Sequence, residues 1–395
     1  MKTVEWADTA KYFLLLVRYG IFGEAQNSGV PEKPENVNWK NVFILSEKHS
    51  LSAATYRALL SCEERPAGEL FEKWKRSYRL SVCADIQQRF AWEEIKNYFS
   101  RKKIKLLPLK GLRFKELYPR TELRTMGDLD ILYEKERFPD IKAGMESLGY
   151  TFRAESAGSN HQIFFRAPFL CVEMHSHLLP KASTFSSYCL GAWDKAEESE
   201  TPFLFRFSKE DEYLYMLMHA YKHFYGAGSG VRTVLDFQLF VKKYGNGLDR
   251  TYIEKEMKKA AADSKEARSG ESLERFEALL FEKSEEWFGN SEIEIDETTV
   301  KILADGVYGR RENVWKQNLE KDGRRYLWRR LFPPFPDMKT SFPKLQKLPF
   351  LLPLYWCKRI FRALFKRRKE MAREYRFVRE SYKSDRKERK RKKMD

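Results

Sequence analysis

Residues 106–133 read LLPLKGLRFKELYPRTELRTMGDLDILY, and the fold turns on this stretch. Ile104 to Leu109 is a short apolar run bounded by a glycine, which predicts a strand. Lys110-Gly111 ends it, Leu112 to Tyr118 reads as one or two helical turns, and Pro119 to Gly127 is a loop. Asp128 to Tyr133 is the next strand. Asp128 and Asp130 then point to one side of it, with Leu129 and Ile131 on the other. Two carboxylates held side by side repel each other unless a cation lies between them. Hard oxygen ligands of this kind suit Mg²⁺ or Mn²⁺, and Mg²⁺ brings nucleotide phosphates with it. At the preceding turn, Gly111 lets backbone amides approach a phosphate and Lys110 adds charge.

Outward from this stretch, residues 136–148 form an amphipathic helix through Phe138, Ile141, Met145 and Leu148, stopped by Gly149. Strand-like runs follow at 150–153, 161–166 and 169–175. The order β-α-β-α-β-β-β predicts a mixed sheet with helices packed on it, in an α+β or α/β layer. Glu173, between Val172 and Met174, lies on the last run and offers a third carboxylate. Three strand-borne carboxylates around one or two metals meet the needs of in-line nucleotidyl transfer. One metal neutralises phosphate charge, and the other lowers the pKa of an attacking hydroxyl. Two residues on, His175 is placed to orient Glu173 or a ligand phosphate.

The flanks read as helical. Trp6, Ala10, Phe13, Leu14 and Val17 share a helical spacing, Asn38 and Ser52 are placed to cap two short helices, and a long helix runs from about Pro66 to Arg101. Its apolar residues Leu70, Trp74, Tyr78, Val82, Ile86 and Phe90 recur every four positions. His49 reads as a packing histidine near a helix end. After an irregular 181–207, helices are expected at 209–225, 231–244, within 250–289 and at 296–320. The division is 1–102 helical, 103–207 the mixed-sheet core, 208–347 helical, and 348–395 an apolar-then-basic helix and tail.

The composition, 42% hydrophobic and 15% aromatic, is that of a globular chain. Its five cysteines are scattered without a CxxC, which argues against a disulfide framework and for a reducing compartment. The N-terminus makes a poor signal peptide, and no run is apolar enough to span a membrane, so a cytoplasmic location is expected. The net charge of +17 is uneven. Residues 358–395 hold 18 Lys/Arg against 6 Asp/Glu, which leaves +5 for the preceding 357 residues. This tail would make contact with nucleic acid or with an anionic inner-membrane surface, or would extend as a solvated helix.

The set LPLKG, YP, RTMGDLDIL and VEMH resembles the Lys-Gly…Arg-x-Met-x-Asp-x-Asp…acid-x-His pattern of an uncharacterised bacterial nucleotidyltransferase family in the DNA polymerase β-like superfamily. The segments LYMLMHAYKHF, RTVLDFQLF and LFPPF…PFLLPLYWCKRIFRAL are similar to the family downstream, to about residue 366. The resemblance implies an α+β fold with a polymerase-β-like mixed sheet flanked by helical N- and C-terminal regions. It implies Asp128 and Asp130 as metal ligands, Glu173 as a third carboxylate acting as ligand or general base, and Lys110 and Gly111 at the nucleotide-cradling turn. Arg124 would lie near the phosphates, and residues 209–225 would rim the acceptor side. Leu112 stands where the superfamily has a Ser, and Glu173 where Asp is common. The implied activity is Mg²⁺- or Mn²⁺-dependent transfer of a nucleoside monophosphate from an NTP to a hydroxyl acceptor. Two other readings stay open: an inactive NTP-binding scaffold acting through the tail, and a zinc hydrolase built on the histidines, in which His219 and His223 have i, i+4 spacing. Ala220 after His219 breaks the HExxH pattern.

Overall fold

The computed structural model describes residues 3–26, 29–153, 160–180, 183–262, 264, 272–346, 348–366 and 368–391. The chain divides into one unit reaching Tyr308 and a second from Gly309 onward.

The first unit opens with helices α1 (Thr3–Gln26), α2 (Trp39–Lys48), α3 (Ser52–Ser61) and α4 (Glu69–Arg101). Asn38 caps α2 as expected, its side chain accepting from the Lys40 amide. Ser52 does not cap α3. Leu51 holds the cap position and Ser52 is the first helical residue, its hydroxyl turned to Glu47. In α4 the buried line is Trp74, Ser81, Asp85, Gln88, Ala91, Ile95 and Phe99, while Ile86 and Phe90 are exposed. A strict spacing of four precesses about 40° per step around a helix of 3.6 residues per turn. The expected stripe therefore rotates out to solvent after Trp74.

The sheet is built from β1 (Leu106–Pro108), β2 (Leu129–Tyr133), β3 (Thr151–Arg153), β4 (His161–Arg166) and β5 (Leu170–His175). Their spatial order is β1-β2-β5-β4-β3. The sheet is mixed: β2 and β5 run parallel, and the other pairs are antiparallel. Between β1 and β2 lie α5 (Gly111–Phe114) and two 3₁₀ turns, and α6 (Phe138–Ser147) follows β2. Alternation along the strands sends Leu106, Leu129, Ile131, Phe164, Val172 and Met174 into a core with Ala91, Ile95 and Phe99 of α4 and Ile141 and Met145 of α6. Leu107 and Leu132 face the other way, into a larger core. Asp130, Glu173 and His175 share that second side, because strand residues two apart share a face.

The segment expected to be irregular holds a small antiparallel hairpin, β6 (Ala196–Glu198) and β7 (Phe205–Phe207). Then come α7 (Lys209–Phe224), α8 (Val231–Tyr244), α9 (Arg250–Ala262), α10 (Leu273–Phe288) and α11 (Glu297–Asp305). Helices α1, α3, α7, α8 and α10 bury Phe13, Leu59, Tyr213, Phe237 and Phe276 in one core that also takes Leu107 and Leu132 of the sheet. The second unit holds α12 (Arg311–Asp322), α13 (Tyr326–Leu331), α14 (Phe335–Ser341), α15 (Leu352–Lys366) and α16 (Arg368–Arg391).

His49 has the packing role expected of it. It is fully buried, its Nδ1 accepts from the Val231 amide at 3.1 Å, and its Nε2 lies 3.3 Å from the Leu303 carbonyl. That pattern requires a neutral ring with the proton on Nε2. Burial and then Lys48 lower its pKa from 6.5 to about 3. The unfolded chain therefore binds a proton that the native state refuses between these two values. The stabilisation is complete above the unfolded pKa and is lost as pH falls. Between pH 7 and pH 5 this one group is expected to cost about 2 kcal/mol. Denaturant titrations at both pH values should show His49→Gln losing correspondingly less.

Candidate active site

The turn after β1 starts the site. Lys110 adopts φ 36°, in the left-handed region that a side chain enters only under strain. This turns the chain sharply, so that Gly111 opens α5 beside the end of β2. A Cβ on Gly111 would lie 2.7 Å from Met126 Sδ and 3.3 Å from Arg124 Nη1. Those side chains already fill the space, so the turn packs closely and has room only for a glycine. Asp128 immediately precedes β2 and Asp130 lies within it, so only Asp130 takes its direction from the strand ladder. Register puts Asp130 beside Glu173 and Leu132 beside His175 on the parallel neighbour β5, and His175 opposite His161 on β4.

Asp130 is buried and bound from two sides through one oxygen. His175 Nε2 is 2.8 Å from Oδ1 and Lys110 Nζ is 3.3 Å from it. Glu173 Oε2 lies 3.5 Å from His175 Nε2 and 3.6 Å from His161 Nε2. Asn160 braces this pair of rings: its Nδ2 donates to the His177 carbonyl at 2.9 Å and lies 3.3 Å from His175 Nδ1, while its Oδ1 is 3.3 Å from His161 Nδ1. His161, Glu173 and His175 bring three metal-ligating atoms within 4.8 Å of one another. His219 and His223 sit apart from that group, paired through their Nε2 atoms at 3.1 Å.

The electrostatics divide the acids. Burial raises the Asp128 pKa, and Asp130 and Glu173 add to this, pushing it up to about 6. Burial acts the same way on Asp130, but Lys110 and His175 outweigh it and hold its carboxyl below the usual range. Glu173 is also lowered: burial opposes ionisation, and His175 and His161 overcome it. Burial opposes the Lys110 ammonium, yet Asp130, Tyr215 and Asp128 keep its pKa above normal. Asp128 is thus a carboxylate short of positive charge, next to two ionised neighbours. Among the described residues, the group whose ligating atoms come within 4.8 Å of one another is His161, Glu173 and His175, and Asp128 and Asp130 bring further carboxylates to the same cavity.

These groups line a cavity of about 370 Å³, within the range of small-molecule sites. Arg124 lines it too, but most of its guanidinium is committed elsewhere. Nε and Nη2 donate to the two oxygens of Asp236 at 2.8 Å each, and the Tyr118 hydroxyl donates to the same carboxylate at 2.8 Å. Arg124 Nη1 packs against Gly111. Helix α7 contributes Met216, His219, Ala220, Lys222 and His223 to the wall, and α8 contributes Arg232, Thr233 and Asp236. Burial first, then the charge of Lys110, lowers the Lys222 pKa to about 8. Lys222 makes no ion pair among the described residues. Arg232 donates to the Thr125 carbonyl and likewise has no carboxylate partner among them. Burial pushes both α7 histidines down, His223 to about 4, so they are neutral at neutral pH. Tyr308, 78% exposed, stands at the rim.

The structure therefore brings Lys110, Gly111, Arg124, Asp128, Asp130, Glu173 and His175 to one cavity. Sequence reasoning missed Lys222, Arg232, Asp236, His161 and Asn160. A signal existed for one of them: Asp236 is the only acid in the apolar run VRTVLDFQLF, and a lone acid on a buried helix face needs a cation.

A family model described as uncharacterised nucleotidyltransferase matches residues 35–265, more than half of the chain. No curated protein sequence matches it. Among solved structures, the chain is similar to the antibiotic-resistance factor ANT(2'')-Ia, in a solution structure described as revealing substrate-regulated conformation dynamics. The identity is 13%, covering 50% of this chain and 94% of that one, with a TM-score of 0.27. The extent of the family match, over a segment that contains the whole acid and Lys-Gly set, establishes that the chain belongs to the uncharacterised nucleotidyltransferase family.

Proposed function

We propose that the chain transfers a nucleoside monophosphate from an NTP to a hydroxyl acceptor with the help of Mg²⁺ or Mn²⁺. The observation that carries this is the convergence of Asp128, Asp130 and Glu173 with Lys110, Lys222 and Arg232 on one cavity. Asp128, Asp130 and Glu173 would hold the metal, which supplies charge neutralisation of the phosphates and activation of the hydroxyl when bound. The chain's own residues do the rest. Gly111 lets Met126 and Arg124 pack against the α5 turn, and Lys110 and Arg124 border the cavity in which a phosphate would sit. Lys222 and Arg232, with no carboxylate partners among the described residues, are the donors left to take phosphate charge. The acceptor oxygen attacks the α-phosphorus, the bond to the β-phosphate bridging oxygen breaks, and pyrophosphate leaves. Glu173 takes the hydroxyl proton, with His175 and His161 holding its carboxylate in place. Fixed cations around a transferring phosphoryl group stabilise charge without reorganisation at the moment of reaction.

The test is transfer of label from each of the four α-³²P NTPs in the presence of Mg²⁺ and pooled hydroxyl acceptors, with pyrophosphate release measured in parallel. Label transfer that stops on chelation is the expected result. Absence of both transfer and NTP binding removes the proposal. Lys222→Ala is expected to raise the apparent KM for NTP about tenfold, which corresponds to the loss of one hydrogen bond to a charged group. Steady-state kinetics at varied NTP would show this, with kcat changed much less.

A further inference from the structure

The segment that joins α7 to α8 reads GAGSGVRT over residues 226–233, and Ser229, Arg232 and Thr233 of it line the cavity. Its glycines hold it in one shape. Gly228 has φ 104°, which favours glycine, and a Cβ there would collide with the Asp305 carboxylate. Asp305 is not among the groups that line the cavity. A Cβ on Gly230 would lie 2.7 Å from both His49 Nδ1 and the Val307 amide nitrogen. The same His49 Nδ1 accepts from the Val231 amide at 3.1 Å and so fixes the first residue of α8. The loop is therefore held in place before any ligand arrives.

Ser229 is 4% exposed, yet neither its hydroxyl nor its backbone amide has a hydrogen-bond acceptor among the described residues. A buried polar group left unpaired is costly, and each one calls for a partner. Thr233 adds a second hydroxyl to the lining, also without a side-chain partner among the described residues. The positive end of α8 lies at the same place, and its cap residue, Gly230, makes no side-chain cap bond. Lys222 and Arg232 bring two cations that form no ion pair among the described residues. Hydroxyls, a helix N-terminus and cations together are the donor set for phosphate oxygens. Elsewhere in the cavity the cations are already engaged, Lys110 by Asp130 and Arg124 by Asp236. We infer that Ser229, with the N-terminus of α8 and the Lys222 and Arg232 cations, holds the β- and γ-phosphates of the nucleotide, the pair that departs as pyrophosphate. This rests on the transferase reading above and adds to it the place where the leaving group is held. The acids on the sheet then act at the α-phosphate end.

The experiment is calorimetric titration of the full chain, in Mg²⁺, with each NTP, the matching nucleoside monophosphate and inorganic pyrophosphate. Ser229→Ala should bind NTP and pyrophosphate about tenfold more weakly than the parent, the loss of one hydrogen bond to a charged group. Its melting temperature should match that of the parent, because the hydroxyl gives up no partner among the described residues. Ser229→Asp, which sets a carboxylate among the donors, should abolish pyrophosphate binding. The monophosphate lacks the two distal phosphates, so parent and Ser229→Ala should treat it alike. Unchanged NTP and pyrophosphate affinity in both folded variants would overturn the inference. So would equal weakening of NTP and monophosphate. In either case, NTP binding that Asp128→Asn/Asp130→Asn still abolishes would leave the transferase reading standing. Pyrophosphate that binds and answers to Ser229 when no nucleotide binds would remove that reading and leave a phosphate site at the loop.

Discussion

Asp128→Asn is expected to lose turnover by on the order of 10³-fold and, in metal-free protein, to become more stable than the parent. Both effects come from the same position. Asp128 lies beside Asp130 and Glu173, and burial with their charge pushes its pKa up from 3.8 to about 6. The native state thus holds a proton more tightly than the unfolded chain between these values. Stability attributable to this group falls as pH rises through that window and stays low above it. Removing the charge relieves about 2 kcal/mol above pH 6, after allowance for the residue's partial exposure. In a metal-dependent transferase the same deletion removes a ligand oxygen, and a loss of about 4 kcal/mol of transition-state stabilisation gives the rate effect. Denaturant unfolding without metal, set beside turnover with Mg²⁺, checks both halves. A carboxylate with a purely structural role would lower stability when changed, and the two readings therefore differ in sign.

Arg124→Met is expected to destabilise the native state by about 3–5 kcal/mol, because it leaves the buried Asp236 carboxylate without its bidentate partner. For a domain of ordinary stability that is a large fraction of the total. Arg124 is 5% exposed, and among the described residues the Tyr118 hydroxyl is the hydrogen-bond donor that Asp236 keeps once the guanidinium is gone. Arg124→Met/Asp236→Leu should recover a substantial part, since replacing both members of a buried pair by apolar groups is far milder than removing one. Thermal and urea unfolding of the two variants give the numbers. The pair also ties the loop before Asp128 to α8. For that reason the double variant should fold and yet turn over slowly.

Much of this was legible in the chain. The strands around Asp130 and Glu173 carry alternating or continuous apolar residues, and the Lys-Gly turn and the acids stand within a single segment and its neighbour. The mixed sheet and the identity of its acids follow from those local patterns. What local patterns do not show is which cations are already paired. Arg124 and Asp236 are 112 residues apart, and Lys222 differs from Lys110 only in what the folded chain places beside it. The α4 stripe shows another limit. Spacing of four and spacing of 3.6 look alike over two turns and diverge over five, so Ile86 and Phe90 read as core and emerge exposed. The hairpin β6–β7 was hidden because its three-residue strands are too short to display a period.

The central claim is that the acids around Asp130 form a metal-nucleotide site, and calorimetric titration of each NTP with and without Mg²⁺ tests it most directly. The parent chain should bind at least one NTP only when Mg²⁺ is present, and Asp128→Asn/Asp130→Asn should abolish that binding while remaining folded. NTP binding that is indifferent to Mg²⁺, or that survives unchanged in the folded double variant, would contradict the account.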